Sequence, residues 1–116
     1  MKKLALNDFN NKTYKEVSAI LNENFEITEL KHADLALFFL TEGENLSPSE
    51  LLIKNVKELE TMCKEANALG IRVVLYSPKN FKQPKTAYEL SALIAEDLVI
   101  KLGDFNEISR TPNGIK

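Results

Sequence analysis

The sequence predicts a small three-layer α/β domain on a mainly parallel sheet of four to five strands. Three observations carry that reading. Apolar runs of strand length alternate with segments whose apolar residues recur at helical spacing, and such alternation implies a parallel sheet with right-handed crossovers. The run DLALFFL at 34–40 is apolar at every position after the aspartate, as a central strand covered on both faces requires. The segment SPSE at 47–50 opens a long amphipathic stretch that stops at Gly70, so a helix separates that strand from the next.

Taken in order, KKLALN is a short apolar run bounded by Asn7 and Asp8, a buried strand at 3–7. In TYKE, Thr13 precedes Glu16 by three residues, the capping-box spacing. Tyr14, Val17, Ile20 and Leu21 then follow at helical period, and the first helix ends near Asn24. FEITELKH allows two readings. Phe25, Ile27 and Leu30 alternate as a strand does, but only 31–33 separate them from the next strand, and a parallel crossover needs about a dozen residues. Residues 25–30 are therefore an edge or antiparallel strand, or else a turn of helix.

After strand 34–40, Ser47 caps the second helix, Pro48 takes its first position and Glu50 completes the box. Leu52, Val56, Leu59, Cys63, Ala66 and Leu69 form its buried stripe, with Gly70 as the left-handed stop. IRVVLYS is a strand at 71–76 ending at Ser77, and TAYE repeats the capping spacing at Thr86 and Glu89. Leu90, Leu93 and Ile94 give a short helical face, LVIKL at 98–102 reads as the last strand, and Asp104 to Arg110 as the start of a final short helix. RTPNGIK, with Pro112 and Gly114, reads as a flexible tail over 110–116. The layout is of the flavodoxin-like or Rossmann-like kind.

A chain of 116 residues that is 44% hydrophobic suits one domain, 1–116, with one core. Fifteen basic and 17 acidic residues, interspersed and netting −2, argue against a nucleic-acid partner, which needs clustered basic surface. Cys63 is the one cysteine, so no internal disulfide and no zinc pattern is expected, and it falls on a core stripe. No apolar run reaches the roughly 18 residues of a membrane span, and the run Leu4 to Leu6 is shorter than the roughly 7 of a signal peptide. A cytoplasmic protein with neither membrane nor metal is the expectation.

In a parallel sheet the ligand crevice lies beyond the carboxyl ends of the strands, where strand order reverses. The residues expected there are Asn7, Asp8, Thr41, Glu42, Gly43, Ser77 and Lys101, with Gly103 and Asp104 after it. They are polar and modest in charge, suited to a small polar ligand. The loop TEGENLSPSE has one glycine and neither phosphate-cradling motif, and Glu42, Glu44 and Glu50 make it acidic, so no dinucleotide cofactor is expected. His32 precedes a strand at the opposite edge. Carboxylates, Asp8, Glu42 and Glu50, are the candidate catalytic groups.

In pattern, KHADLALFFLTEGENLSPSELL with EANALGIRVVLYS, over 28–77, resembles the nucleoside deoxyribosyltransferase-like and TIR-like α/β families. The resemblance implies Glu50 as nucleophile or acid at an N-glycosidic carbon, with Asp8 holding the sugar. The chain also looks like a degenerate response-regulator receiver, with Asp8 as the acidic residue, Ser77 ending one strand and Lys101 another. Phe39 stands where that family keeps its phosphorylated aspartate, which implies a docking module. The function expected is a small regulatory or interaction domain, with a small polar ligand or a protein partner, or a homodimer formed through residues such as Tyr88 and Phe105. The alternative is an N-glycosidic hydrolase or transferase using Glu50.

Overall fold

The computed structural model describes residues 1–43 and 45–115; Glu44, part of the acidic loop noted above, lies outside them. Five strands form one wholly parallel sheet in the order β2-β1-β3-β4-β5: β1 (Lys2–Leu6), β2 (Phe25–Ile27), β3 (Leu35–Phe39), β4 (Arg72–Tyr76) and β5 (Glu107–Ser109). Helix α1 (Lys12–Asn24) covers one face. On the other lie α2 (Pro48–Leu52), a π-helical turn (Ile53–Lys57), α3 (Glu58–Ala68) and α4 (Ala87–Lys101). The predicted three-layer α/β architecture is therefore present.

β3 is the centre of the molecule because all five of its side chains are buried. Leu35, Leu37 and Phe39 face α1 beside Leu4, Leu21 and Val74, whereas Ala36 and Phe38 face Leu59, Cys63, Ala66, Ala92, Ala95 and Val99. This alternation puts one strand into two cores, as period-two geometry dictates.

The doubtful segment is an edge strand, and it is parallel. β2 pairs with the first half of β1 (Leu4 opposite Ile27) and β3 with the second (Leu4 opposite Leu35). The chain leaves β2 at the height where β3 begins, so it steps across β1 with one 3-10 turn (Leu30–His32) and needs no long return. Bonds from Thr28 N–H to Leu4 O and from Asp34 N–H to Lys3 O hold the step.

Four other expectations are corrected. The cap of α1 is Asn11, not Thr13: its carboxamide oxygen accepts from Tyr14 N–H while its Nδ2 donates to Leu40 O, a double role no hydroxyl could fill at both points. The second helix carries the expected Ser47–Glu50 box and the positive-φ Gly70 stop. Its π turn, however, shifts the buried face by one residue, so Leu51 and Asn55 point inward and Leu52 is 40% exposed. LVIKL is not a strand. It is the end of α4, one 15-residue helix whose Val99 is buried and whose Ile100 is exposed. An apolar run this short fits a buried helix turn as well as a strand, and the last strand is the less apolar EIS, inside the stretch read as a final helix. Finally, the tail is ordered at its end: Pro112–Gly114 form a 3-10 turn and Ile115, 5% exposed, sits in the core beside α1, while Thr111, Asn113 and Gly114 are exposed.

Two consequences are measurable. Ile115→Ala should cost about 2–4 kcal/mol in urea unfolding, whereas a frayed tail would leave the midpoint unchanged. Burial pushes the Cys63 thiol up to about 11. The unfolded chain's thiol loses its proton at lower pH, so this contribution is complete below pH about 9 and is lost as pH rises toward about 11. Melting temperature followed from neutral to alkaline pH should fall over that window, and less steeply in Cys63→Ala.

Candidate functional site

Strand order reverses between β1 and β3: from β1 the chain winds outward to β2, and from β3 the other way to β4 and β5. At the carboxyl end of that junction, three asparagines hold the backbone that leaves β3. Asn7 extends β1 like one more paired residue, since its Oδ1 accepts from Phe39 N–H (2.8 Å) and its Nδ2 donates to Phe39 O (3.1 Å). Asn11 donates to Leu40 O (3.0 Å). Asn55, fully buried on the π turn, accepts from Thr41 N–H (2.6 Å) and donates to Thr41 O and to Ser91 Oγ. Every carboxamide uses donor and acceptor sides where the backbone ladder has ended.

Beyond this seam lies a crevice of about 620 Å³. Its floor is Leu40, Thr41 and the ring of Tyr76; Asp8 and Asn11 come from the turn before α1, Lys12, Thr13 and Glu16 from its first turns, Glu42 from the β3 loop, Lys79 from the loop after β4 and Tyr88 from α4. Tyr14, Phe39 and Tyr76 stack in series, with ring centroids 5.6 and 5.5 Å apart, which fixes the Tyr76 ring. Tyr88 meets Phe81 edge to face at 6.0 Å. Burial and the Glu16 carboxylate push the Tyr76 phenol up, and burial with Glu42 and Glu96 pushes Tyr88 up to about 12. Both are neutral O–H groups at physiological pH.

The wall bearing Lys79 is held from below. Arg110, just past β5, donates through NH1 to Ser77 O, Lys79 O and Glu96 Oε2 and through NH2 to Glu96 Oε1 at 2.6 Å. Ser77 Oγ donates to Glu96 Oε2 at 3.0 Å. The Glu96 residue is only 9% exposed, so this bidentate pair shapes the loop and offers nothing to a ligand.

Of the residues expected at the edge, Asp8, Thr41 and Glu42 line the crevice. Asp8 Oδ1 also accepts from Asn10 N–H at 2.9 Å. Asn7 and Ser77 are engaged internally, as above. Gly43 packs under Leu46, where an added Cβ would lie 2.8 Å from that side chain. Lys101 is misplaced by the false strand: it is exposed in the last turn of α4, paired with Asp97 at 2.8 Å. Gly103 and Asp104, without Lys101, line a separate cleft that also includes Arg72. Glu50 accepts from Ser47 N–H in the capping box and is not among the crevice's lining residues. Sequence reasoning missed Lys12, Glu16, Tyr76, Lys79 and Tyr88. Tyr76 ends a strand that was correctly placed, so its position at the edge was the available signal.

No family model and no curated protein matches the chain. Solved structures do. RMD from Pseudomonas aeruginosa, complexed with NADPH, superposes with a TM-score of 0.67 at 15% identity over 90% of this chain and 50% of that one. The Helicobacter pylori ADP-L-glycero-D-manno-heptose-6-epimerase gives 0.67 at 10% identity, over 92% and 53%. The fold is Rossmann-like. The chain spans about half the length of these neighbours, and at such identities the likeness concerns the fold alone.

Asn55→Ala should destabilise by about 2–4 kcal/mol, because it strands the Thr41 N–H and C=O together. Asn55→Asp, which sets a carboxylate against Thr41 O in a fully buried site, should be no more stable than Asn55→Ala at neutral pH in a denaturant titration; equal stability of all three would remove the role of the seam.

Proposed function

We propose that this chain is a small cytoplasmic regulatory domain that binds a small polar molecule in the carboxyl-edge crevice. Tyr76 carries the reading. The residue is 5% exposed, yet among the described residues its hydroxyl makes no hydrogen bond within the chain. The hydroxyl is not sealed from solvent, so it is open to the crevice that the residue lines and available to a ligand there. The side chains of Lys12, Glu16, Glu42, Lys79 and Tyr88 are likewise without an internal hydrogen bond or ion pair among the described residues. The asparagines of the seam differ, since their carboxamides are engaged within the chain, by backbone groups and, for Asn55, by Ser91 Oγ as well.

A dinucleotide is not the ligand we propose, although one neighbour was solved with NADPH. Pyrophosphate binding in this fold relies on glycines between the first strand and helix, where the backbone must come close. Here that turn reads Asn7, Asp8, Phe9, Asn10, Asn11.

Thermal melts against a panel of sugars, amino acids, nucleosides and NADPH test the reading. A member present at a hundred times its dissociation constant adds about 2.7 kcal/mol. Tyr76→Phe should melt at or above the native temperature, having no internal hydrogen bond to lose, while that ligand's shift shrinks. A panel without any shift, or a variant that responds as the native chain does, refutes it.

A further inference from the structure

The crevice's own charges define its ligand further, on the footing that it is the binding site. Three carboxylates, Asp8, Glu16 and Glu42, face two ammonium groups, Lys12 and Lys79. The wall is thus net acidic, which disfavours a phosphorylated ligand and favours one that is neutral or carries a cation. The acidic groups are distributed: Glu16 is on α1, whose side of the sheet Tyr76 faces, while Glu42 is on the loop after β3 and Tyr88 on α4, which covers the other face. A ligand spanning the crevice therefore meets a phenol and a carboxylate at each end. A phenol hydroxyl both donates and accepts, the pairing that a sugar hydroxyl satisfies. A carboxylate only accepts, and its strongest partner is a charged N–H donor.

We infer that the crevice selects a hydroxylated small molecule bearing a protonated amine, of the aminosugar class, with Tyr76 and Tyr88 on its hydroxyls and Glu16 or Glu42 on its ammonium group. Asp8 is the weaker candidate for the ammonium, because one of its oxygens already accepts from Asn10 N–H. Lys12 and Lys79 donate to the remaining hydroxyl oxygens and repel a second cation, so the site takes one amine.

The test is a heteronuclear NMR titration of the whole chain with glucosamine, glucose and glucose 6-phosphate, at a pH where the amine is protonated. Glucosamine should bind about tenfold tighter than glucose, with glucose 6-phosphate the weakest, and the perturbed amides should fall in 8–16, 40–42 and 76–79. The exposed Glu16 and Glu42 can be changed without disturbing the core. The Glu16→Gln/Glu42→Gln variant should bind glucose as before and lose the preference for glucosamine. Glucose binding with no gain from the amine, or a preference that survives in the variant, overturns this inference and leaves the polar-ligand site standing. Tightest binding by glucose 6-phosphate overturns it as well. Absence of binding by all three defeats the aminosugar assignment, and the wider panel of melts then decides the site itself.

Discussion

The carboxamides of Asn7 and Asn11 tie the end of β1 and the turn after it to the carboxyl end of β3, Asn55 ties the residue two beyond β3 to the π turn and α4, and the geometry around the crevice depends on these ties. A parallel sheet leaves backbone donors and acceptors exposed where its strands stop, and at a point of strand-order reversal no following element pairs them. Asn7 continues the ladder with a side chain, while Asn55 reaches up from the π turn to satisfy both groups of Thr41. The widened turn brings Asn55 into the interior, which explains why an otherwise regular helix is interrupted there. Asparagine serves the opposite edge too: Asn106 accepts from Val73 N–H and donates to Val99 O, and Asn67 donates to Leu102 O. Gly103 is required between them, because a Cβ would come within 2.7 Å of Asn67 Nδ2.

This internal stitching separates polar groups that serve the fold from those without a partner inside the chain among the described residues. The Glu96–Arg110 pair and the seam asparagines are satisfied within the chain. The phenols of Tyr76 and Tyr88 and the charged groups around them face open space. A Rossmann-like sheet thus keeps a crevice at its reversal point while its first turn carries asparagine in place of glycine. Phenols, carboxylates and two ammonium groups line that crevice.

Much of the fold was legible. The all-apolar β3, the Ser47–Pro48–Glu50 start, Gly70 and β4 each carry a local signal that agrees with the global structure. What escaped was decided by tertiary context. The end of α4 has a strand-like composition, but Ala92, Ala95 and Val99 are buried on one helical face, against Ala36 and Leu59. The true β5 is only three residues long and draws its definition from pairing with Val74 through Tyr76. β2 became possible as a parallel strand because β2 and β3 share the length of β1, a matter of register that spacing does not reveal. Of the site, Asp8, Thr41 and Glu42 could be read from strand ends. Tyr76, the last residue of β4, could have been read in the same way; Lys12, Lys79 and Tyr88 could not, since they belong to helices and a loop whose position against the sheet is set by packing.

Native-state hydrogen exchange at the Phe39 and Thr41 amides tests the seam most directly, because both donate to asparagine side chains and to no backbone carbonyl in the ladder. Protection comparable to that of the central β3 and β4 amides is the result expected. Exchange at the rate of an open loop would mean that the carboxyl edge is not held closed by its asparagines, and the crevice described here would lose its floor.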